Sequence, residues 1–350
     1  MNRTLLTPPR LDPTPIFELH RSNYAAELLT AAVSHFRIFD RFVRGPKTAG
    51  ELRADLGLEE RPAVVLLTAL RAFGLLKEDG LGRLDLSELA RDHLTSGGPF
   101  DVSDYIRLGA DNRDVSVLVE RLRSNRPAGT ASQNSSAAYT YQAGVSSPMD
   151  QSDTAERLTL ALAGRARNVA PALAERVPMG TAKTLLDVGG GTGLYSIAFL
   201  QKNPGLRAIV WDRPEVLNVT AKLATEHGVA DRLECLAGDM FTDRVPPADV
   251  VLLSNVLHDW NVPECRRLIS RCAAALPRGG RLLIHDVFLN DALDGPLPIA
   301  LYSAALFCVT EGRAYSAAEY RSWQKEAGLT PGPVRPTLIH CGVLPAVKEG

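Results

Sequence analysis

From Lys183 onward, short apolar runs alternate with stretches in which apolar residues recur at helical spacing. Apolar runs of four to eight residues between turn residues are typical of buried strands. The predicted strands are 183–188, 207–212, 232–237, 249–254 and 281–288, and "PTLIHCGVLPAVK" near the C-terminus supplies one or two more. Because strands and helices alternate, this part of the chain is predicted to be an α/β domain, a parallel sheet covered on both faces by helices.

The N-terminal part has a different pattern. Apolar residues recur at helical spacing over 14–44, 48–58 and 61–76, and Asp79-Gly80 with Gly82 marks a tight turn between two short strands. Helix, helix and hairpin together predict a winged helix-turn-helix. Residues 40–95 contain nine Lys and Arg but ten Asp and Glu, whereas a DNA-binding face needs a basic excess. The pattern therefore favours a dimerisation module over a DNA-binding one.

The length of 350 residues is enough for two or three domains. Residues 124–151 are rich in Ser, Ala, Gly and Asn and predict a loop. Asp153, with Glu156 three residues later, predicts the capped start of a helix that runs to about Val177. We expect a helical winged-helix domain over 1–105, a helical linker with substrate-pocket helices over 106–180, and a catalytic domain over 181–350.

Composition and charge exclude several functions. The 39 basic and 40 acidic residues give a net charge of −1, so no overall field favours nucleic acid or an anionic membrane. The proline-broken N-terminus lacks the apolar core of a signal peptide, and the longest apolar stretch, 296–309, is too short to cross a bilayer. Five cysteines without a C-x-x-C pair fit a reducing, cytoplasmic location. We expect no metal site, because no His, Asp or Glu spacing specifies one.

The stretch "LLDVGGGTGLYS" (185–196) joins a buried strand to a helix through a glycine-rich turn. Glycine lets a ligand approach the backbone closely, and the helix N-terminus offers free N–H groups. A dinucleotide fingerprint would need a glycine where Ser196 stands, and Asp187 would repel a pyrophosphate. The same carboxylate suits the ammonium group of S-adenosylmethionine. Because Asp212 and Asp239 end the next two strands at the same sheet edge, the pattern favours that cofactor.

The motifs "DVGGGTG", "VWDRP", "GDMF", "LHDW" and "LPRGGRLLIHD" follow one another in this order. Over nearly its whole length the chain resembles the S-adenosylmethionine-dependent O-methyltransferases of the plant caffeic-acid and acetylserotonin type, in their bacterial branch. The resemblance implies a Rossmann-like class I methyltransferase domain with an N-terminal winged-helix dimerisation domain. It also implies a homodimer and methyl transfer to a hydroxyl of a small aromatic acceptor, with S-adenosylhomocysteine as the product.

The resemblance also implies which residues bind the cofactor. Asp187, Gly189, Gly191 and Gly193 would bind the methionine part, Asp212 the ribose, and Asp239 with Met240 the adenine. Three neighbours in the same motifs complete the set: Arg213, Phe241 and Ser254. Arg213 stands where the family usually has Leu, and Ser254 where its plant members have Lys. These two positions depart from the family pattern.

The motif "LHDW" places His258 just past the fourth strand, and the resemblance implies that it is the general base. Asp259 is its neighbour in sequence, but adjacent side chains usually point apart. The resemblance gives Asp286, at the end of the fifth strand, as one orienting acid. The family's second acid is a Glu in Gly-x-Glu-Arg-Thr, and the matching stretch "EGRAYSAAEY" lacks the Glu-Arg pair. Glu311, one helical turn earlier, is the candidate substitute.

The acceptor pocket is expected to be built from the helix at 153–175 and the segment 298–312. Its candidate residues are Met149, Asn255, Tyr302, Leu306 and Val309. Two alternatives stay open. The chain could be a C- or N-methyltransferase, or a protein that uses the cofactor without transferring methyl. It could also be a cofactor-sensing regulator that binds DNA through the winged helix. The sequence does not identify the acceptor.

Overall fold

The computed structural model describes residues 4–127 and 147–349, so 128–146 of the predicted loop lie outside the described residues. The described residues form two compact units. The helical unit comprises 18–127 and 289–316, and the catalytic unit comprises 4–17, 147–288 and 317–349. The three domains predicted from the sequence, with boundaries at 105 and 180, stay a prediction.

Helices occupy most of the helical unit and flank the strands of the catalytic unit. In chain order the α-helices of the described ranges are α1 (Thr14–Arg21), α2 (Asn23–Thr30), α3 (Ala49–Leu56), α4 (Glu60–Ala72), α5 (Glu88–His93), α6 (Ser103–Arg107), α7 (Arg113–Ser124), α8 (Ser152–Arg176), α9 (Leu194–Lys202), α10 (Pro214–Glu226), α11 (Val262–Ala275), α12 (Leu297–Val309) and α13 (Ala317–Glu326). Within these described ranges, none has the length and apolarity that a bilayer crossing requires.

The strands, again in chain order, are β1 (Leu76–Glu78), β2 (Leu84–Leu86), β3 (Thr184–Val188), β4 (Arg207–Asp212), β5 (Leu233–Ala237), β6 (Val250–Ser254), β7 (Arg281–Leu289), β8 (Tyr315–Ser316), β9 (Thr330–Pro331), β10 (Arg335–Pro336) and β11 (Cys341–Val347). The five strands predicted from Lys183 onward are confirmed to within one residue at each end, because their apolar runs are bounded by clear turn residues.

The catalytic unit contains one large sheet with the order β10-β11-β7-β6-β3-β4-β5. Strands β7, β6, β3, β4 and β5 are parallel, and β11 joins β7 in the antiparallel sense. Every residue of β6 is buried, as expected of a parallel strand covered on both faces. The carboxyl ends of the parallel strands meet at one edge, which is where ligands bind in sheets of this kind.

In the helical unit, the helical pattern over 14–44 is divided rather than continuous. After α1 and α2 come a π-helical turn at Ala31–His35 and a 3-10 turn at Phe39–Arg44. Helix α3 begins at a capping box between Thr48 and Glu51. The predicted tight turn is confirmed, since β1 and β2 form an antiparallel hairpin in which Leu76 faces Leu86.

One local expectation is wrong. Helix α8 begins at Ser152 after Gln151, which makes no side-chain cap, and Asp153 lies inside the first turn. The capping box forms earlier, between Ser147 and Asp150, around a 3-10 turn at Pro148–Asp150. The Asp150 carboxylate accepts from the Ser147 backbone N–H at 2.7 Å. Both boxes have a polar residue at the required spacing, so the motif alone does not select between them.

Candidate active site

The glycine-rich turn after β3 is open to a ligand at one position and tightly packed at another. Gly191 has φ +59, and a Cβ built there would meet nothing within 4 Å. Gly193, the N-cap of α9, has φ +68, and its Cβ would lie 2.7 Å from Thr220 Cγ2. Glycine is therefore required at Gly193 by packing and backbone conformation, while Gly191 leaves backbone exposed for close approach. Gly189 also has a positive φ, +63, and its N–H bonds the Trp211 carbonyl at 2.8 Å.

The Asp187 carboxylate is fully buried at the end of β3. Its Oδ2 accepts from the Ser196 hydroxyl at 2.7 Å, while Oδ1 has no hydrogen-bond partner among the described residues. Burial raises the pKa of Asp187 to about 7, and nearby Asp212 adds to the rise. A buried carboxylate oxygen without a partner is costly unless a cation or donor approaches it. The site therefore fits a ligand with a cationic group, such as the ammonium of S-adenosylmethionine.

Asp212 ends β4 and holds the glycine-rich turn. Its Oδ2 accepts from the Gly191 N–H at 2.8 Å, and its Oδ1 accepts from the Arg213 N–H at 2.7 Å. Burial raises the pKa of this carboxyl, and the two backbone N–H groups oppose the rise. Each carboxylate oxygen can accept a second hydrogen bond, which leaves capacity for ribose hydroxyls. The Arg213 side chain pairs with Asp150 at 2.5 Å.

After β5, the "GDMF" motif forms a tight turn. Asp239 Oδ1 accepts from the Phe241 N–H at 2.7 Å, and the Asp239 N–H donates to Asp243 Oδ2 at 2.9 Å. Asp239 and Met240 are half-buried. The Phe241 ring packs edge-on against Trp260, with ring centroids 4.6 Å apart. Arg267 and Arg271 of α11 also donate to the Phe241 and Met240 carbonyls, at 2.8 and 3.0 Å. The turn is thus fixed by its own hydrogen bonds, by these two arginines and by the contact with Trp260.

His258 lies on a 3-10 turn, Leu257–Asp259, at the same edge of the sheet. Its Nδ1 lies 2.6 Å from Asp286 Oδ1, and both side chains are buried. Asp286 also accepts from the Val287 N–H at 2.8 Å and from the Tyr320 hydroxyl at 3.2 Å. Burial would raise the pKa of Asp286, but His258, the Val287 N–H and the positive charge of Arg165 hold it below its usual value. The carboxylate is ionised and only accepts, so Nδ1 carries the proton and Nε2 holds the lone pair.

Asp259 has a different relation to the same imidazole. Its Oδ1 lies 3.7 Å from His258 Nε2, beyond hydrogen-bond distance, and burial raises its pKa to about 7 although His258 opposes the rise. Burial of His258 disfavours the imidazolium, but Asp286 and Asp259 outweigh burial and the repulsion from Arg165. The pKa of His258 is therefore above its ordinary value, which makes its Nε2 a stronger base.

A second polar network, which is partly buried, includes residues that follow the same strand as His258. Asn255, in a left-handed conformation (φ 55), accepts from the Arg165 guanidinium at 2.8 Å. Ser254 Oγ is 2.8 Å from His285 Nδ1, and the other ring nitrogen is 3.1 Å from Thr337 Oγ1. Burial lowers the pKa of His285 to about 3. This histidine is therefore neutral at physiological pH and links two hydroxyls.

The remaining candidate residues are distributed over both units. Met149 is buried in the catalytic unit against Ala155 and Val216. Helix α12 and the segment after it, in the helical unit, carry the others: half-buried Tyr302, buried Leu306, exposed Val309 and half-buried Glu311. Their roles in acceptor binding and in orienting His258 stay predictions.

Two residues beside the site escaped the sequence analysis. Arg165, on α8, donates to Asn255 at 2.8 Å and to Cys341 Sγ at 2.9 Å. Tyr320, on α13, donates to Asp286 from 34 residues further along the chain. Arg165 belongs to no motif, and Tyr320 ends the stretch 311–320 without matching the family's Gly-x-Glu-Arg-Thr. Helical spacing alone assigns both to ordinary packing. Only the tertiary fold brings them to this edge.

Comparisons with known proteins give a consistent result. Residues 128–330 match the family model described as an O-methyltransferase domain. The 3-hydroxy-5-methyl-1-naphthoate 3-O-methyltransferase of Streptomyces sahachiroi is 30% identical over 326 residues, 92% of this chain and 91% of the relative. A crystal structure of an O-methyltransferase family 2 protein from Planctomyces limnophilus, in complex with apigenin, is 47% identical with a TM-score of 0.90, covering 99% of both chains. Human N-acetylserotonin methyltransferase in complex with S-adenosylmethionine shares the fold, with 21% identity and a TM-score of 0.60 over 96% of this chain and 97% of that one.

Proposed function

Because this chain belongs to the O-methyltransferase family and is an S-adenosylmethionine-dependent methyltransferase of the class I fold, we propose that His258 is its general base. The acceptor is a hydroxyl of a small aromatic molecule. The observation that carries this proposal is the 2.6 Å hydrogen bond between His258 Nδ1 and Asp286 Oδ1. With the proton on Nδ1, Nε2 is the nitrogen that can accept a proton. His258 lies at the same edge of the sheet as Asp187.

The donor site fits the cofactor. Asp187 would bind the ammonium group, the turn containing Gly189, Gly191 and Gly193 would lie against the methionine part, and Asp212 would bind the ribose. The adenine would lie against the turn that carries Asp239, Met240 and Phe241. When bound, S-adenosylmethionine supplies a methyl group on a positively charged sulfur, which leaves as a neutral thioether. The protein's part is to align the acceptor and to exclude water.

His258 removes the proton that makes a phenol a poor nucleophile. A phenol and an ordinary imidazole differ in pKa by about 3.5 units, or roughly 4.8 kcal/mol. Asp286 and Asp259 raise the pKa of His258 and narrow that difference. The proton moves from the acceptor hydroxyl to Nε2, while Nδ1–H stays bonded to Asp286. The acceptor oxygen then carries the electron pair that forms the new C–O bond.

The acceptor class follows from the relatives. The Streptomyces relative acts on a hydroxynaphthoate, and the Planctomyces structure holds apigenin. Both molecules are phenols, so a phenolic hydroxyl is the proposed methyl acceptor here. Met149, Asn255, Tyr302, Leu306 and Val309 are the proposed acceptor-binding residues.

The experiment incubates the protein with ¹³C-methyl S-adenosylmethionine, apigenin and a panel of hydroxynaphthoates and other phenols. Mass spectrometry detects methylated products, and ¹³C NMR distinguishes a methyl bound to oxygen from one bound to carbon or nitrogen. An O-methyl product supports the proposal. A C- or N-methyl product supports the first alternative. A salt-sensitive shift of genomic DNA fragments, without any methylated product, would support the regulator.

A homodimer is part of the proposal. The helical unit exposes large apolar side chains near α6, among them Phe100 (66% exposed), Tyr105 (80%) and Leu108 (82%). Exposed apolar side chains this close together in the chain favour a second copy of the chain as the partner. Light scattering should report a dimer, and Leu108→Asp should shift it to monomer. We also propose a cytoplasmic location, because the sequence has five cysteines, an odd number, and no C-x-x-C pair.

A further inference from the structure

The Asp286 carboxylate is held by three donors from three parts of the catalytic unit. Its Oδ1 receives the His258 imidazole at 2.6 Å and the Val287 backbone N–H at 2.8 Å. Its Oδ2 receives the hydroxyl of Tyr320, on α13, at 3.2 Å. Tyr320 is the donor that fixes the oxygen facing away from the imidazole.

The position of the Tyr320 hydroxyl is set by packing. Its side chain is fully buried. The ring lies edge-on to Phe288, with centroids 5.8 Å apart, and edge-on to Trp323, with centroids 5.4 Å apart. Phe288 lies on β7, the strand that carries Asp286. A ring confined between two aromatic neighbours has little freedom, so its hydroxyl is a rigid donor.

We propose that Tyr320 is a positioning residue for methyl transfer, which fixes the rotation of the Asp286 carboxylate and through it the orientation of the His258 imidazole. This inference rests on the proposed role of His258. Tyr320 touches neither cofactor nor acceptor in this account and acts only through Asp286.

The hydrogen bond has an electrostatic consequence as well as a geometric one. A donor on Oδ2 stabilises negative charge on that oxygen and weakens the attraction of the carboxylate for an imidazolium. Removing the Tyr320 hydroxyl should therefore raise the pKa of His258 and let the carboxylate rotate. The other charged groups that act on His258 are Asp286 itself, Asp259 and Arg165. All three remain when only the Tyr320 hydroxyl is removed, so a change can be attributed to it.

The test compares Tyr320→Phe with Ser322→Ala. Both variants remove a hydroxyl from α13, but the Ser322 hydroxyl is exposed and bonds Glu326, so only the first removes a donor to Asp286. The pKa of His258 is measured by NMR in ¹⁵N-histidine-labelled protein saturated with S-adenosylhomocysteine. We expect the pKa of His258 to rise by about 0.5 in Tyr320→Phe and to change by less than about 0.1 in Ser322→Ala. With apigenin as acceptor, kcat at pH 7 should fall about tenfold in Tyr320→Phe, with KM within about twofold of wild type.

A third variant tests whether Tyr320 acts through Asp286. In an Asp286→Asn background, adding Tyr320→Phe should change the pKa of His258 by less than about 0.1. Equal effects in Tyr320→Phe and Ser322→Ala, or full additivity with Asp286→Asn, would overturn the inference. The NMR readout needs no turnover. A His258→Ala variant that keeps its activity would refute the base, whereas an unshifted pKa in Tyr320→Phe refutes only the positioning role.

Discussion

His258 Nδ1 lies 2.6 Å from Asp286 Oδ1, although the two residues are separated by 28 positions and belong to different elements. Asp259, the sequence neighbour of His258, lies 3.7 Å from the opposite ring nitrogen. The imidazole is therefore oriented from the neighbouring strand β7 and not from its own turn. The acid that is distant in sequence fixes the tautomer, and the adjacent acid acts only as a nearby charge.

This difference predicts unequal effects for the two acids. Asp286→Asn should lower kcat about 100-fold, because the neutral amide does not stabilise the imidazolium and its NH₂ group can donate to Nδ1, which leaves the proton on Nε2. Asp259→Asn should lower kcat by less than about tenfold, since no hydrogen bond is lost. Steady-state kinetics with saturating S-adenosylmethionine measure both. A larger loss in Asp259→Asn than in Asp286→Asn would reverse the assignment.

The pH dependence of methyl transfer should report His258. The neutral imidazole is the active form, so kcat/KM should fall as the pH drops through the pKa of His258. That pKa is raised above 6.5 by Asp286 and Asp259 against the effect of burial. We therefore expect the midpoint of this fall in kcat/KM to lie above pH 6.5 and to move to lower pH in Asp286→Asn. If Asp286→Asn leaves the midpoint unchanged, the fall reports the titration of another group.

Cofactor binding should be coupled to the ionisation of Asp187. Its pKa is about 7 without a cationic ligand, because the carboxyl is fully buried. An ammonium group pairs only with the ionised form, so binding below pH 7 must release a proton. The Kd of S-adenosylhomocysteine should rise up to about tenfold per pH unit below 7. Calorimetry at pH 6 in buffers of different ionisation enthalpy measures the released proton, and its absence would remove Asp187 from this role.

The same carboxylate should destabilise the ligand-free protein. The pKa of Asp187 is higher in the folded protein than in the unfolded chain. Ionising this carboxyl therefore lowers the free energy of unfolding, starting above the ordinary pKa of 3.8 and in full above about pH 7. Asp187→Asn should therefore raise the free energy of unfolding by roughly 2 kcal/mol at pH 8 and by less at pH 5. The exposed Asp231→Asn is the matched control. Urea unfolding at the two pH values checks this, and a destabilised Asp187→Asn at pH 8 would contradict it.

Alanine substitutions at two glycines should show whether packing around the glycine-rich turn requires a glycine. Gly193→Ala places a Cβ 2.7 Å from Thr220 Cγ2 at φ +68, and we expect a loss of about 2 kcal/mol in stability together with weaker cofactor binding. Gly205→Ala, where a Cβ meets nothing within 4 Å, should change neither. Thermal unfolding and calorimetry with S-adenosylhomocysteine compare the two. Equal behaviour of both variants would contradict the packing argument.

The catalytic unit could be predicted in detail because its signals are local. Apolar runs bounded by turn residues locate the strands, and the acids that follow them share one edge by the geometry of a parallel sheet. Asp187 and Asp212 could be assigned to that edge in this way, and their roles in cofactor binding stay predictions. The choice between Asp259 and Asp286 depends on side-chain direction, which the sequence does not encode locally.

The remaining features arise from contacts between distant segments. Tyr320 ends the stretch 311–320 but matches no residue of the family motif, and the contacts of its ring with Phe288 and Trp323 place its hydroxyl against Asp286. The sequence does not distinguish Arg165 from the other arginines on helices. Its role is visible only from its hydrogen bond to Asn255. The capping box at Ser147 competes with an equally plausible one at Asp153, and packing of Met149 accompanies the first.

The central claim, that His258 is the base of a methyltransferase, is tested most directly by His258→Ala. Its kcat is measured with a phenol that the wild-type protein methylates, and its affinity for S-adenosylhomocysteine is measured by calorimetry. We predict a fall in kcat of at least about 100-fold with the affinity unchanged within about twofold. Activity retained within about threefold of wild type, at unchanged affinity, would contradict the account.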